Sequence, residues 1–166
     1  MLMADPNRSI RVATEHDLPA ILDLYAQTGL DDGARLELAV ARELFERMAT
    51  YPYYRIFLVT AGAEAGGDVL ATYALLVMDN IAHIGAPLAI VEQVAVAGTH
   101  QGEGLGTLMM QHAMDQSRAL GCYKLALSSN VKRELAHAFY DKLGFVRHGY
   151  SFIVDLAATG PEVFSL

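Results

Sequence analysis

A mixed α/β sheet of six to seven strands, with about four helices on its faces, is the fold class this sequence predicts. Three observations carry that prediction. Short apolar stretches with strand-like alternation are interleaved with longer ones whose apolar residues recur at helical spacing. The elements follow the order βααβββαβαβ(β), which describes a mixed sheet with helices packed on it. Hydrophobic residues make up 53% of the 166 residues and charged ones 19%, enough apolar content for a packed core.

The first strand is SIRV, in which Ile10 and Val12 alternate with Ser9 and Arg11. Thr14 with Asp17 then resembles a capping box, with Asp in place of the usual Glu. Leu18, Ile21, Leu22 and Tyr25 recur at helical spacing, and Gly29 ends that helix. ARLELAVARELFERMATYP reads as a second helix stopped near Pro52. YRIFLVTA and VLATYALLVMD are two strands, joined by the hairpin loop AGAEAGGD. APLAIVEQVAV is the next strand. Beyond it, Leu105, Leu108, Met109, His112 and Gln116 form one stripe of a helix capped by Gly121. CYKLALSSN is a strand, and KRELAHAFYDKLG is a helix ending at Gly144. FVRHGYSFIVDL supplies one or two last strands around Gly149, and residues 157–166 form a peripheral tail.

The length predicts one domain, residues 1–166, with its core in residues 9–156. The formal net charge of −7 and the lack of a basic run speak against a nucleic-acid partner and mildly favour cationic small molecules. No apolar run approaches the roughly 20 residues that span a bilayer, and MLMADPNRSI lacks the apolar core of a secretion signal. Cys122 is the only cysteine, which excludes an internal disulfide and a cysteine metal site. Among His83, His100, His112, His137 and His148 there is no H-x-x-x-H or H-E-x-x-H spacing, so no metal centre is expected. His112 reads as a packed core histidine. A cytoplasmic protein is the simplest expectation.

The chemistry-bearing stretch is VEQVAVAGTHQGEGLGTLMMQHAM, residues 91–114. Gly102, Gly104 and Gly106 stand between a β-branched strand and a helix. The spacing G-x-G-x-G is not the G-x-G-x-x-G of a dinucleotide fold, and no lysine completes a nucleotide P-loop. The physics of a phosphate site is nevertheless present. Glycines let backbone N–H groups approach a ligand closely, and a helix N-terminus offers unpaired donors and a positive dipole end. On the glycines alone, a plain turn into a core helix is an equal reading.

The frame around the glycines decides between them. VEQVAVAGTHQGEGLG resembles the acetyl-CoA signature of the GNAT superfamily of N-acetyltransferases, a strand and turn followed by [QR]-x-x-G-x-[GA]. Gln101, Gly104 and Gly106 fill it. Further on, SSNVKRELAHAFYDKLGF resembles the second motif of that superfamily, through Asn130, Phe139, Tyr140, Gly144 and Phe145. The resemblance covers nearly the whole chain. It implies a mostly antiparallel sheet, split at its central strands, and acetyl-CoA as co-substrate. Glu103 departs from the pattern, since relatives usually carry a basic or small residue there, and it is expected to face solvent.

The resemblance implies a role for each matching position. The pantetheine arm would run along Val94, Ala95 and Val96. The pyrophosphate would sit on the amides of Gln101, Gly102, Glu103, Gly104, Leu105, Gly106 and Thr107, and Asn130 would contact the pantetheine. Tyr140 is the candidate general acid for the leaving thiolate, because thiol and phenol pKa values (about 8.5 and 10) lie close enough for transfer. Glu92 interrupts the apolar strand LAIVEQVAV, where a buried carboxylate needs a partner or a task. It is the candidate general base, or else a carboxylate supporting a strand bulge.

The acceptor region would comprise residues 30–35, 78–87 and 147–152. Local likeness to acetylases of glucosamine phosphate and aminoalkylphosphonates points to a small primary amine. Arg147 and His148 would then bind an acidic group. Tyr51, Tyr53 and Tyr54 line an aromatic pocket on one reading and pack at a strand start on the other. The alternatives are a peptide or protein acetyltransferase acting on Lys or an N-terminus, and a non-catalytic acetyl-CoA-binding module. YSFIVDL is compatible with a homodimer.

Overall fold

A computed structural model describes residues 8–30, 32–62 and 67–154. The chain forms two compact units, Met1–Leu127 and Ser128–Leu166.

The first unit is a sheet with helices on both faces. Strand β1 (Arg8–Val12) leads into helix α1 (Leu18–Thr28) and helix α2 (Leu38–Ala49). Strands β2 (Tyr54–Ala61), β3 (Val69–Met78) and β4 (Leu88–Val96) follow, then helix α3 (Leu105–Ala119) and strand β5 (Lys124–Leu127). The strands lie in the order β1-β2-β3-β4-β5. The first four are antiparallel, and β4 pairs with β5 in parallel. That single parallel pair needs a crossover, which α3 supplies.

The expected box at Thr14 forms and is reinforced. The Asp17 carboxylate accepts from the Thr14 N–H at 2.7 Å and from its hydroxyl at 2.9 Å. Arg11 closes on the same carboxylate with two bonds of 2.6 and 2.8 Å. Gly29 then ends α1 at φ 69°, a left-handed conformation that suits glycine.

The two sheet faces have different covers. Ile56, Leu58 and Ala74 pack with Ile21 of α1, and Tyr25, Phe45 and Met48 lean on the same cluster. On the opposite face Phe57 and Tyr73 stack at 5.2 Å beneath His112 of α3. His112 is the packed histidine expected, with Nδ1 2.6 Å from the Tyr73 hydroxyl. The buried stripe of α3 is Leu105, Met109, Met110, Ala113 and Ser117. Leu108, His112 and Gln116 flank it half-buried, so the stripe is rotated from the expected one.

The second unit begins at Ser128 and carries helix α4 (Glu134–Lys142). Gly144 turns the chain at φ 87° after that helix, as expected. The expectation of six to seven strands is corrected here. The described residues form five strands, and 145–154 form none. Val146, Tyr150, Phe152, Ile153 and Val154 are exposed. Their alternation suits a strand, but a strand is held by a hydrogen-bonded neighbour, and none is paired with them. The expected C-terminal tail, residues 157–166, lies outside the described residues.

Candidate active site

The central strand is irregular where the sequence places its glutamate. Ala74 pairs with Glu92 and Thr72 with Ala95, so Gln93 and Val94 together oppose Tyr73. This is a β-bulge, and Gln93 takes φ 55°, which a non-glycine residue rarely adopts. Simple alternation would send Glu92 and Gln93 to opposite faces. The extra residue instead turns Gln93 toward α1, where its Oε1 accepts from the Tyr25 hydroxyl at 3.2 Å. Glu92 shares that face, since it pairs with Ala74, which pairs with Ile56 of the cluster under α1. Burial raises the Tyr54 phenol first, and the charge of Glu92 adds to the shift.

Glu92 is exposed rather than buried. The cost of an unpartnered buried carboxylate therefore does not apply to it. The bulge beside it is the feature that the strand sequence concealed.

The bulge also marks the split. β5 pairs with β4 only from Leu88 to Val91. Among the described residues, no strand pairs with Glu92–Val96 on that edge. On that edge the outward-pointing backbone groups of Val94–Val96 have no strand partner among the described residues, and an extended amide-bearing chain can pair with such groups.

Beyond β4 the chain passes through a short 3₁₀ turn, Gly98–His100, to Gln101. Gly102 and Gly104 both stand at φ 82°, a conformation that side chains resist. A Cβ at Gly102 would meet nothing within 4 Å, so the loop is open on that side. Gly104 is the N-cap of α3, and no side chain caps that end. The amides of Leu105, Gly106 and Thr107 follow it in the first turn, where no intrahelical acceptor exists. Leu105 is buried and offers the cleft only its backbone. The loop and helix end together suit a diphosphate.

Glu103 is exposed, and its carboxylate is tethered. Arg8 pairs with it, and Arg8 Nη1 also donates to the Glu103 carbonyl at 3.0 Å. His100 Nδ1 lies 3.2 Å from the same carboxylate. Hydrogen bonding from His100, with smaller contributions from the charges of His100 and Arg8, holds the Glu103 carboxyl below its usual range.

Asn130 and Tyr140 lie in the second unit. The Asn130 side-chain oxygen accepts from the Lys132 N–H at 2.9 Å, and its carbonyl accepts from the Arg133 N–H and from His137 Nε2, each at 2.9 Å. Asn130 thus organises the turn into α4. The Tyr140 ring sits edge-on to Phe139 and Phe145 at 5.2 and 5.6 Å. Burial raises its phenol, against a smaller opposing effect of Arg133. The group is therefore protonated at neutral pH, as a proton donor must be. Arg147 is held by Asp141 at 2.8 Å.

The tyrosine cluster takes its packing role. Tyr54 joins the core under α1, with Tyr51 edge-on at 5.7 Å. The Tyr53 hydroxyl donates to Gln116 at 3.3 Å. Cys122, expected at the start of a strand, is half-buried two positions before β5. Among the described residues, no three His, Cys, Asp or Glu side chains gather as a metal ligand set, and no helix is long and apolar enough to cross a membrane.

An open cavity of about 190 Å³ lies beside the bulge, between α1, α2 and β2. Leu22, Leu36, Leu44 and Phe45 form its sides, with Ile56 and Gln93 on the sheet. Gln93, Tyr25 and Arg8 have no counterpart among the sequence-derived candidates. Nothing local in the chain marks them.

Comparison with known proteins is consistent with this geometry. The profile of the "Acetyltransferase (GNAT) family" matches residues 18–145. A glucosamine 6-phosphate N-acetyltransferase of Trypanosoma brucei brucei is 28% identical over 148 residues, covering 89% of this chain and 95% of that one. A probable glucosamine 6-phosphate N-acetyltransferase 2 of Oryza sativa subsp. japonica is 30% identical over 143 residues, covering 86% and 82%. The solved structure of a putative acetyltransferase from Agrobacterium tumefaciens superposes with a TM-score of 0.79 at 31% identity, covering 89% of this chain and 99% of that one.

Proposed function

The chain belongs to the acetyltransferase (GNAT) family and is an acyl-CoA-dependent N-acetyltransferase; from that premise we propose that it moves an acetyl group from acetyl-CoA to a primary amine of a small-molecule acceptor, by direct attack on the thioester. One observation carries the choice of co-substrate. The free edge of β4 leads, through Gly102 and Gly104 in left-handed conformations, straight to the uncapped N-terminus of α3. An extended arm and a diphosphate need these two surfaces in this order. On this reading residues 1–166 act as one domain.

Acetyl-CoA supplies the acyl group as an activated thioester. Val94, Ala95 and Val96 pair with the amides of its arm, with Asn130 as a further contact. The amides of residues 101–107 hold its diphosphate. Glu92, exposed at the bulge, takes the proton that an ammonium acceptor must lose before it attacks. Tyr140, a phenol protonated at neutral pH, returns a proton to the departing sulfur.

Calorimetric titration with acetyl-CoA tests the reading, with Gly104→Trp alongside and both unfolding temperatures measured. Binding by the native chain, lost in a variant that still unfolds cooperatively, supports it. Tyr140→Phe should then bind acetyl-CoA normally and release thiol slowly with any accepted amine, by the roughly 10²-fold or more that a proton donor contributes. A native chain that does not bind acetyl-CoA would overturn the reading.

A further inference from the structure

The cavity beside the β4 bulge is apolar to a degree that restricts the acceptor. No lysine or arginine lines it among the described residues, and its walls are leucine, isoleucine, phenylalanine, methionine and alanine apart from Tyr25 and Gln93. Three guanidinium groups on the flanking segments are held in ion pairs. Arg35 holds Asp23 at 2.7 Å, Arg42 holds Glu15 at 2.9 Å, and Arg11 holds Asp17. A phosphate placed against these walls would lose the hydration on the side that faces them, with no cation in the lining to replace it.

We infer that the acceptor is a primary amine carrying an apolar alkyl or aryl group that lodges between α1 and α2, rather than a phosphorylated amino sugar. This rests on the acetyltransferase reading above. Size supports it, because cavities of about 150 Å³ lined by similar residues admit benzene, and this one measures about 190 Å³. Register supports it as well. Ile56, on the sheet side of the cavity, is two strands from Glu92 on the same face, and Gln93 joins the cavity to the bulge. Adjacent strands lie about 4.8 Å apart, so Ile56 stands roughly 10 Å from Glu92 across the sheet, and Gln93, next to Glu92 in the chain, brings the cavity wall closer to it. The net charge of −7 favours the approach of an ammonium ion.

The test uses the full chain, with acetyl-CoA affinity measured first. Thiol release is then followed with propylamine, butylamine, hexylamine, benzylamine and 2-phenylethylamine, and with glucosamine 6-phosphate. The expected result is a kcat/KM that rises about fourfold per methylene until the cavity is filled, with glucosamine 6-phosphate the poorest acceptor. Leu36→Asp and Leu44→Asp alter wall residues that are 43% and 38% exposed, so both variants should fold. Each should flatten the chain-length dependence and leave acetyl-CoA affinity unchanged. Acetyl-CoA binding together with preferred turnover of glucosamine 6-phosphate, or with no gain along the amine series, overturns this inference and leaves the acetyltransferase reading standing. Loss of both binding and turnover removes the reading itself.

Discussion

The Tyr25 hydroxyl donates to Gln93 Oε1 across 3.2 Å, tying the middle of α1 to the bulge of β4. A bulge residue at φ 55° is a strained position, and this bond is one of the contacts that hold it. The same two residues line the cavity, so the tie also shapes the proposed acceptor pocket. Tyr25→Phe keeps the ring and removes the donor. It should cost about 1 kcal/mol, or roughly 2–4 °C in Tm for a chain of this size. The acceptor KM should rise while the acetyl-CoA Kd stays the same. Thermal unfolding and steady-state kinetics check the two halves separately.

Arg8 and Glu103 make a different kind of pair. Without Arg8, the Glu103 carboxylate would keep His100 as its partner, beside a loop proposed to hold a diphosphate. Arg8→Ala should therefore weaken acetyl-CoA binding a few-fold, more strongly at low salt. Glu103→Gln in that background should restore the affinity, because the repulsive charge is then gone. Titrations of the single and double variants at two salt concentrations decide the matter. An undiminished affinity in Arg8→Ala would show that the pair only anchors β1.

The Tyr73–His112 pair sets a pH dependence of stability. Burial lowers the His112 imidazole, with a smaller opposing effect from Asp115. Above pH of about 6.5 the group is neutral both folded and unfolded, and contributes no pH dependence. As the pH falls through that value the unfolded chain takes up the proton first, so the unfolded state binds more protons and stability declines. Urea midpoints between pH 7.5 and 5 should fall in the native chain, and fall less steeply in His112→Gln. Tyr73→Phe removes the partner of a half-buried imidazole nitrogen and should cost about 1 kcal/mol at pH 7.5.

Asp17 acts at lower pH and with the opposite charge logic. Hydrogen bonding from Arg11, and then from the Thr14 N–H and hydroxyl, holds its carboxyl well below the usual carboxylate range against the opposing effect of burial. Its contribution is present above the unfolded value of about 3.9 and is lost as pH falls below it. Asp17→Asn should destabilise the chain at pH 7 by about 1–2 kcal/mol. It should also shrink the loss of stability between pH 5 and 3. Acid titration followed by circular dichroism would reveal either change.

Much of the architecture was legible from local pattern. The two N-terminal helices, the three long strands, the helix after the glycines and the helix bearing Tyr140 follow from periodicity and from stops at Gly29, Gly121 and Gly144. The last strands failed because alternation in YSFIVDL states a preference for extension, and only a pairing neighbour converts that preference into a strand. The glycine loop was legible because left-handed turns and helix entries leave a glycine signature within a few residues.

The sequence alone determined the order of elements, the family resemblance and the loop at Gly102 and Gly104, since each depends on residues adjacent in the chain. The tertiary structure decided the rest of the site. Tyr25 meets Gln93 across 68 residues, Arg8 meets Glu103 across 95, and Tyr73 meets His112 across 39. The bulge that turns Gln93 toward α1 exists because β3 and β4 pair out of step, and the apolar cavity exists because α1 and α2 meet over Ile56. Contacts of that range arise from sheet register and packing, and no local run of residues records them.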